Sequence, residues 1–96
     1  IVDSCIVAPD ENPLTIRRHA ALTDFALNVG PGRQGVKDGL CALKSGAPST
    51  IRRMAANGNW AAVCAGFRAW VKAGGVFYQG LDNRRKAEEG LCLGAY

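Results

Sequence analysis

The chain has 96 residues, a formal net charge of +4 and a hydrophobic content of 48%. This apolar content is typical of a folded globular protein and excludes the disorder that results from low hydrophobicity. The sequence contains no apolar run long enough to cross a bilayer, so we predict no membrane span. We expect residues 1–96 to form one helical domain.

The start of the chain indicates a longer translation product. It opens with Ile1-Val2-Asp3, and its only methionine is Met54. The part expected upstream is either a removed signal peptide or a substantial segment of the protein, and composition does not choose between them. Residues 1–10 are apolar, with Pro9 near their end, and are consistent with the tail of an element that begins upstream.

The first clear helix is predicted from Asn12-Pro13 to Val29. Asparagine is a good N-cap, proline is favoured at the first helical position, and Gly30-Pro31 would end the helix. The next segment, residues 30–48, is rich in glycine and is interpreted as a long loop containing one short helix. Its Gly-x-Gly-x-x-Gly sequence at 30–35 is not a dinucleotide motif, because it follows a helix and includes a proline.

The second half of the chain predicts three more helices. Ser49 caps a short helix that ends at Asn57-Gly58, and Asn59 caps a longer one that extends to Gly74-Gly75. After a connector over 76–80, Asp82 caps a final helix that ends near Leu93-Gly94. The expected fold is therefore all-α, with four to five short helices and no strands.

The cysteines favour disulfides over a metal site. They are far apart and form no Cys-x-x-Cys pair, which argues against a zinc knuckle and a thioredoxin-like site. Three pairings are possible, and the sequence does not choose among them. Disulfides indicate an oxidising compartment such as the periplasm. The four residues are Cys5, Cys41, Cys64 and Cys92.

The charged residues predict neither nucleic-acid binding nor catalysis by a nucleophile. The basic residues occur as doublets in separate segments, without interleaved stacking aromatics, so their positive charge is best explained by solubility. The single histidine, His19, is expected to be solvated on its helix, with no activating partner for a nucleophile. No cofactor or metal is expected.

Glycosidic cleavage needs two carboxyl groups, and the three glutamates do not supply an obvious pair. Glu11 stands in a turn, while Glu88 and Glu89 lie in an arginine-rich helix where they are expected to form ion pairs. We therefore predict no catalytic residue in this chain. Trp60, Phe67 and Trp70 have helical spacing and are expected in the core rather than in a sugar-stacking surface. Tyr78 and Gln79, in a connector, are candidates for an exposed cleft wall.

Four segments in order resemble the phage-type lysozymes, the endolysin muramidases, over residues 14–93. They are ALTDFALNVG at 21–30, ST at 49–50, WVKAGG at 70–75 and GLDNRRKAE at 80–88. The resemblance implies a helical C-terminal lobe that forms one wall of a glycan cleft, with the catalytic Glu, Asp and Thr upstream. That motif is absent here: the position where its Asp would follow Glu11 is Ala20, and for Glu88 and Glu89 it lies beyond the last residue.

The resemblance also implies roles for individual residues. Asn28 matches a cleft-lining amide, and Arg84 matches the arginine that the family pairs with its catalytic glutamate. With Tyr78 and Gln79, these residues are the predicted substrate-binding set.

The implied function is part of a peptidoglycan-degrading lysozyme, phage-encoded and acting in the periplasm or outside the cell. We expect it to be inactive without the upstream catalytic segment. Its expected partners are peptidoglycan glycan strands and that segment or another protein. An alternative is a truncated, non-catalytic protein that binds glycan or a protein. A cationic protein that perturbs envelopes by charge is disfavoured, since no helix combines a basic face with an exposed apolar one.

Overall fold

The computed structural model describes residues 1–94, which form five α-helices and one short β-hairpin. The mostly helical prediction is confirmed, but the expectation of a purely α-helical fold is wrong because of the hairpin. The helices are α1 Val2–Cys5, α2 Ile16–Val29, α3 Thr50–Ala56, α4 Trp60–Gly66 and α5 Gln79–Cys92. A 3₁₀ turn at Phe67–Ala69 follows α4, and the strands are β1 Lys72–Ala73 and β2 Val76–Phe77.

Helix α2 begins later than the sequence predicts. Its N-cap is Thr15, whose hydroxyl accepts a hydrogen bond from the backbone amide of Arg18 at 3.3 Å. Asn12 instead belongs to a preceding turn, where its amide bonds the carbonyl of Pro9. The helix ends at Val29 as expected, because Gly30 has a φ of 83° that a helix does not continue.

Residues 30–48 contain no helix, contrary to prediction. Two isolated antiparallel bridges, Arg33 with Lys37 and Ala42 with Pro48, organise this loop. Its backbone also packs on itself, because a methyl group on Gly39 would overlap the backbone nitrogen of Gly32. The predicted helix is therefore replaced by a loop whose backbone segments pair and pack closely against each other. Leu40 in this loop is fully buried and packs into the core.

Both predicted N-caps in the middle of the chain are confirmed. The Ser49 hydroxyl accepts a hydrogen bond from the backbone amide of Arg52 at 3.0 Å, and the side-chain Oδ1 of Asn59 accepts one from the backbone amide of Ala62 at 3.2 Å. Helix α4, however, ends at Gly66 and not at Gly74-Gly75. The apolar pattern continues beyond it because Phe67, in the 3₁₀ turn, is also buried in the core.

The hairpin and the start of α5 correct two further expectations. Gly74 and Gly75 do not end a helix but form the two-residue turn between β1 and β2, both with positive φ, as a type I′ turn requires. Helix α5 then begins at Gln79, so Asp82 lies in its first turn rather than at its cap. Asp82 forms an ion pair with Lys86 at 2.8 Å.

The core takes buried residues from all five helices, and two disulfides cross-link the elements around it. Cys5–Cys41 joins α1 to the loop over 30–48, and Cys64–Cys92 joins α4 to α5. In a chain-entropy model, each bond contributes roughly 3–4 kcal/mol of stability. Trp60 and Phe67 are buried as predicted, while Trp70 is partly buried with its ring 5.4 Å from that of Phe25. No helix within residues 1–94 has the length and apolar character needed to span a membrane.

Candidate functional site

A groove of about 350 Å³ lies where the end of α2, the hairpin and the first half of α5 meet. A shallower depression of about 450 Å³ adjoins it and shares Ala73 and Leu81 with it. We refer to the two together as the α2–α5 cleft. The groove is lined by Asn28, Val29, Lys37, Asp38, Trp70, Lys72, Ala73, Gly74, Leu81 and Arg85, and the depression by Ala73, Tyr78, Gly80, Leu81 and Arg84.

A cluster of charged and polar side chains joins α2 to α5 beside this cleft. The Asp24 carboxylate accepts two hydrogen bonds from Arg84, from Nε at 3.2 Å and from a terminal nitrogen at 3.1 Å. Arg85 donates to the side-chain oxygen of Asn28 at 3.0 Å and to Glu88 at 3.0 Å. We call Asp24, Asn28, Arg84, Arg85 and Glu88 the charged cluster. Helical spacing places its members together, since each lies one turn or less from the next on its own helix.

The burial of this cluster differs from residue to residue. Arg85 and Glu88 are 1% and 2% exposed, whereas the side chains of Asp24 and Arg84 are 43% and 42% exposed. Arg85 Nε also contacts Glu88 Oε1 at 2.8 Å, although this contact lacks hydrogen-bond alignment. The cluster therefore has a buried contact between Arg85 and Glu88 beneath the exposed ion pair of Arg84 and Asp24. The guanidinium of Arg85 further lies over the ring of Phe25, which fixes it against the core.

The two carboxyl groups of the cluster have pKa values displaced in opposite directions. Burial raises the pKa of Glu88 to about 8, and the neighbouring Asp24 adds to this effect while Arg85 opposes it. The pKa of Asp24 is lowered, chiefly by its hydrogen bond with Glu88 and also by Arg84. Of the two carboxyl groups, Glu88 therefore holds a proton more readily and Asp24 ionises more readily.

Opposed pKa values are also found in pairs of catalytic carboxyls, but the geometry here argues against that role. Glu88 is buried, so a substrate oxygen cannot come within hydrogen-bonding distance of it. Both carboxylate oxygens of Asp24 already accept hydrogen bonds from Arg84. The expectation that Glu88 and Glu89 have arginine partners is confirmed: Glu88 contacts Arg85 at 2.8 Å, and Glu89 forms an ion pair with Arg68 at 3.2 Å.

The structure brings three of the four predicted substrate-binding residues to the cleft. Asn28 lines the groove, while Tyr78 and Arg84 line the depression beside it. Gln79 is placed differently: it is the first residue of α5, and its amide donates to Asp82 and Asn83 within that helix. It does not line either part of the cleft.

Sequence reasoning missed several residues of the site. Asp24 is the main partner of Arg84, and Lys37, Lys72 and Arg85 line the groove. No local pattern identifies Asp24, because its partner lies on another helix. Arg85 carried a signal, since it stands three residues before Glu88 and so lies on the same face of α5.

A separate cavity of about 250 Å³ lies between α1 and α2. His19 borders it. Its side chain is 41% exposed, in line with the prediction, and its ring nitrogens also lie 3.1 Å from Asp3 and 3.4 Å from Thr23. The contact with Asp3 links α1 to α2, while Thr23 belongs to α2 itself. Within the part of the chain that the structure describes, no group of three or more His, Cys, Asp or Glu residues is placed to hold a metal.

Comparison with known proteins identifies a family. Residues 2–88 match the family model described as phage lysozyme. The chain is 36% identical over 77 residues to the SAR-endolysin of Haemophilus phage HP1 (strain HP1c1), covering 80% of this chain and 41% of that protein. It is 37% identical over 78 residues to the endolysin of Bacillus phage PZA, covering 81% of this chain and 26% of the relative. The chain thus spans less than half the length of these relatives. No solved structure matches it significantly.

Proposed function

Since the chain belongs to the phage lysozyme family, we propose that it acts in bacterial cell-wall lysis as one wall of the glycan-binding cleft of a muramidase. The observation that supports this most is the α2–α5 cleft, with Arg84 held at its edge by Asp24 and Asn28 beside it. Both relatives named above are endolysins. The substrate we propose is the glycan strand of peptidoglycan, met in the periplasm or outside the cell.

Within this function, the residues of the chain bind and orient the glycan. Arg85 occupies the side-chain oxygen of Asn28, which leaves the amide NH₂ to donate to a sugar hydroxyl or an acetamido carbonyl. Tyr78 is 53% exposed and offers a ring on which a sugar can stack. Arg84, exposed at the edge of the cleft, can donate to an anionic group. These three side chains form the substrate-binding set that we propose, without Gln79.

The hydrolytic chemistry needs a carboxylic acid beside the leaving oxygen and a second carboxylate that attacks the sugar or activates water. Glu88 is buried and Asp24 is held by Arg84, so neither is suited to these roles. We therefore propose that upstream residues supply the catalytic carboxylates. The 96-residue chain is then inactive alone and active when that segment is attached or bound.

This proposal is tested by clearing of purified peptidoglycan. The 96-residue chain, with its intact mass confirmed, is assayed alone and together with the corresponding N-terminal segment of an endolysin relative. We expect retention on peptidoglycan but no new reducing sugar ends from the chain alone, and cleavage when the segment is added. Reducing ends released by the chain alone would contradict the inactivity that we propose.

A non-catalytic binding protein is the second candidate. The observation that favours it is the Asp24–Arg84 pair, because Arg84 already has a carboxylate partner within this chain. The two candidates differ in the complementation experiment. Retention on peptidoglycan without any cleavage after the segment is added favours the binding protein.

A further inference from the structure

Two lysines line the groove part of the α2–α5 cleft. Lys37 lies in the loop between α2 and α3, and Lys72 is the first residue of β1. Both are exposed, and neither takes part in an ion pair among residues 1–94, whereas both arginines of the cleft do. Their ammonium groups are therefore available to a ligand that enters the groove.

The backbone holds both lysines in paired structure. Lys37 forms a bridge with Arg33, and Lys72 is paired with Phe77 in the hairpin. The ammonium of Lys37 also approaches Gly30, at the end of α2, where a cation interacts favourably with the helix dipole. This interaction gives Lys37 a structural reason for its position but does not explain Lys72.

The remaining charges of the groove do not cancel the two lysines. Arg85 is buried in its pair with Glu88. Asp38 carries the only negative charge among the residues that line the groove, and one of its oxygens accepts the backbone amide of Lys44 at 2.6 Å. The exposed groups thus amount to two positive charges against one negative charge. Such a balance favours an anionic ligand.

We propose that Lys37 and Lys72 form a carboxylate subsite, so that the chain prefers glycan bearing carboxylates to neutral glycan of the same backbone. This inference rests on the proposed function and narrows its substrate. The groove also has apolar walls, Trp70 and Leu81, and the amide of Asn28, which suit a glycan substituent larger than a free anion. In peptidoglycan the carboxylate is either one on the stem peptide or, where the stem peptide has been removed, that of the lactyl group on muramic acid.

The test is equilibrium binding of the 96-residue chain to three soluble glycans. The first carries stem peptides, the second is the same glycan after an amidase has removed them to expose lactyl carboxylates, and the third is a chitin oligosaccharide without carboxylates. The variants are K37A/K72A, the charge-conserving K37R/K72R, and the control R17A/R53A, which removes two exposed charges that do not line the groove.

We expect the wild type to bind at least one carboxylate-bearing glycan more tightly than chitin, and the preference to weaken as salt is added. At the strength of exposed ion pairs, K37A/K72A should bind that glycan roughly 2- to 30-fold more weakly. Its binding to chitin should be unchanged, and both K37R/K72R and R17A/R53A should resemble the wild type. Preference for the first glycan alone identifies the stem peptide, and preference for the second alone identifies the lactyl group. Preference for both shows that the subsite accepts either carboxylate.

Two results would contradict the proposed carboxylate subsite. One is equal affinity of the wild type for all three glycans, and the other is an equal loss of affinity in K37A/K72A and R17A/R53A. The second result would mean that net charge alone attracts the glycan. If the wild type binds none of the three glycans, the proposed function itself fails. That outcome is distinct from binding without discrimination.

Discussion

Asp24 and Arg84 are 60 residues apart in sequence, yet the carboxylate of one accepts two hydrogen bonds from the guanidinium of the other. This pair connects α2 to α5 at the edge of the cleft. Because it is partly exposed, water screens it and its contribution to stability is small. Its main consequence is geometric, since it fixes the direction in which Arg84 points.

Replacing Arg84 should weaken glycan binding more than it weakens the fold. We expect R84A to lose roughly 0.5–1.5 kcal/mol of binding free energy for peptidoglycan, the usual net value of a hydrogen bond. R68A is the matched control, because Arg68 is similarly exposed and paired with Glu89 but does not line the cleft. Binding isotherms should show a loss for R84A only; equal losses would remove Arg84 from the substrate-binding set.

The buried Arg85–Glu88 pair should matter more for stability than any exposed pair. Removing Arg85 leaves the buried Glu88 carboxyl without its hydrogen-bond donor, which costs roughly 1–3 kcal/mol. R85A should therefore lower the free energy of unfolding in urea by about this amount. The exposed pair of Arg68 and Glu89 gives the comparison, and R68A should cost at most about 1 kcal/mol. A loss below that level in R85A would show that the pair is not buried in solution.

Stability should depend on pH through Glu88. Its pKa is raised from 4.5 to about 8 in the folded chain, so the folded state binds a proton that the unfolded state releases. The resulting stabilisation is complete below pH 4.5 and is lost as the pH rises through about 8. Asp24 acts in the opposite sense, because its lowered pKa gives stability that disappears as the pH falls below 3.8.

Urea unfolding between pH 3 and pH 9 measures this dependence. For the wild type we expect the free energy of unfolding to be highest at mildly acidic pH and to fall towards pH 8. E88Q should show a flatter curve over this range, because its amide does not titrate. E89Q is the control and should retain the wild-type slope. A wild-type stability that rises from pH 5 to pH 8 would contradict the prediction.

The two disulfides should differ in the cost of their removal. They close similar spans, with sequence separations of 36 and 28, so the chain-entropy model assigns each roughly 3–4 kcal/mol. Cys64 and Cys92 are both buried, however, whereas Cys41 is only partly so. The pair C64A/C92A should therefore lose more stability than C5A/C41A, because it also loses packing in the core. Thermal unfolding of both variants checks the order.

The contact between Gly32 and Gly39 gives the sharpest steric prediction. A methyl group at residue 39 would overlap the backbone of Gly32, so G39A should destabilise the chain severely or prevent folding. G80A is the control, since Gly80 lies in α5 with open space around it. Alanine there should be neutral or should stabilise by up to about 1 kcal/mol. Circular dichroism and urea unfolding distinguish the two variants.

Elements that depend on local sequence were predictable. Ser49 and Asn59 cap their helices as expected, because an N-cap needs only its own side chain and an amide in the first turn. The end of α2 followed from Gly30 for the same reason. The hairpin was missed because each strand has two residues, too few for an alternating pattern, and its Gly74-Gly75 turn also suits a helix end.

The candidate site was less accessible to sequence reasoning than the fold. Asn28 and Arg84 could be placed through the family resemblance, but the partner of Arg84 could not, since Asp24 meets it only when α2 packs on α5. The burial of Glu88 could not be predicted either. A glutamate among arginines in a helix gives the same sequence pattern whether its side chain faces the core or the solvent. Tertiary packing therefore determines which charges form the buried pair.

The two disulfides enclose separate stretches of chain, since residues 5–41 lie wholly before residues 64–92. Neither bond must thread through the loop closed by the other, so the two can form in either order during oxidative folding. Asp24 and Asn28 belong to the first covalent loop, and Arg84, Arg85 and Glu88 belong to the second. The charged cluster thus lies at the contact between the two disulfide-closed loops, 5–41 and 64–92. The cleft forms only when these two loops pack against each other.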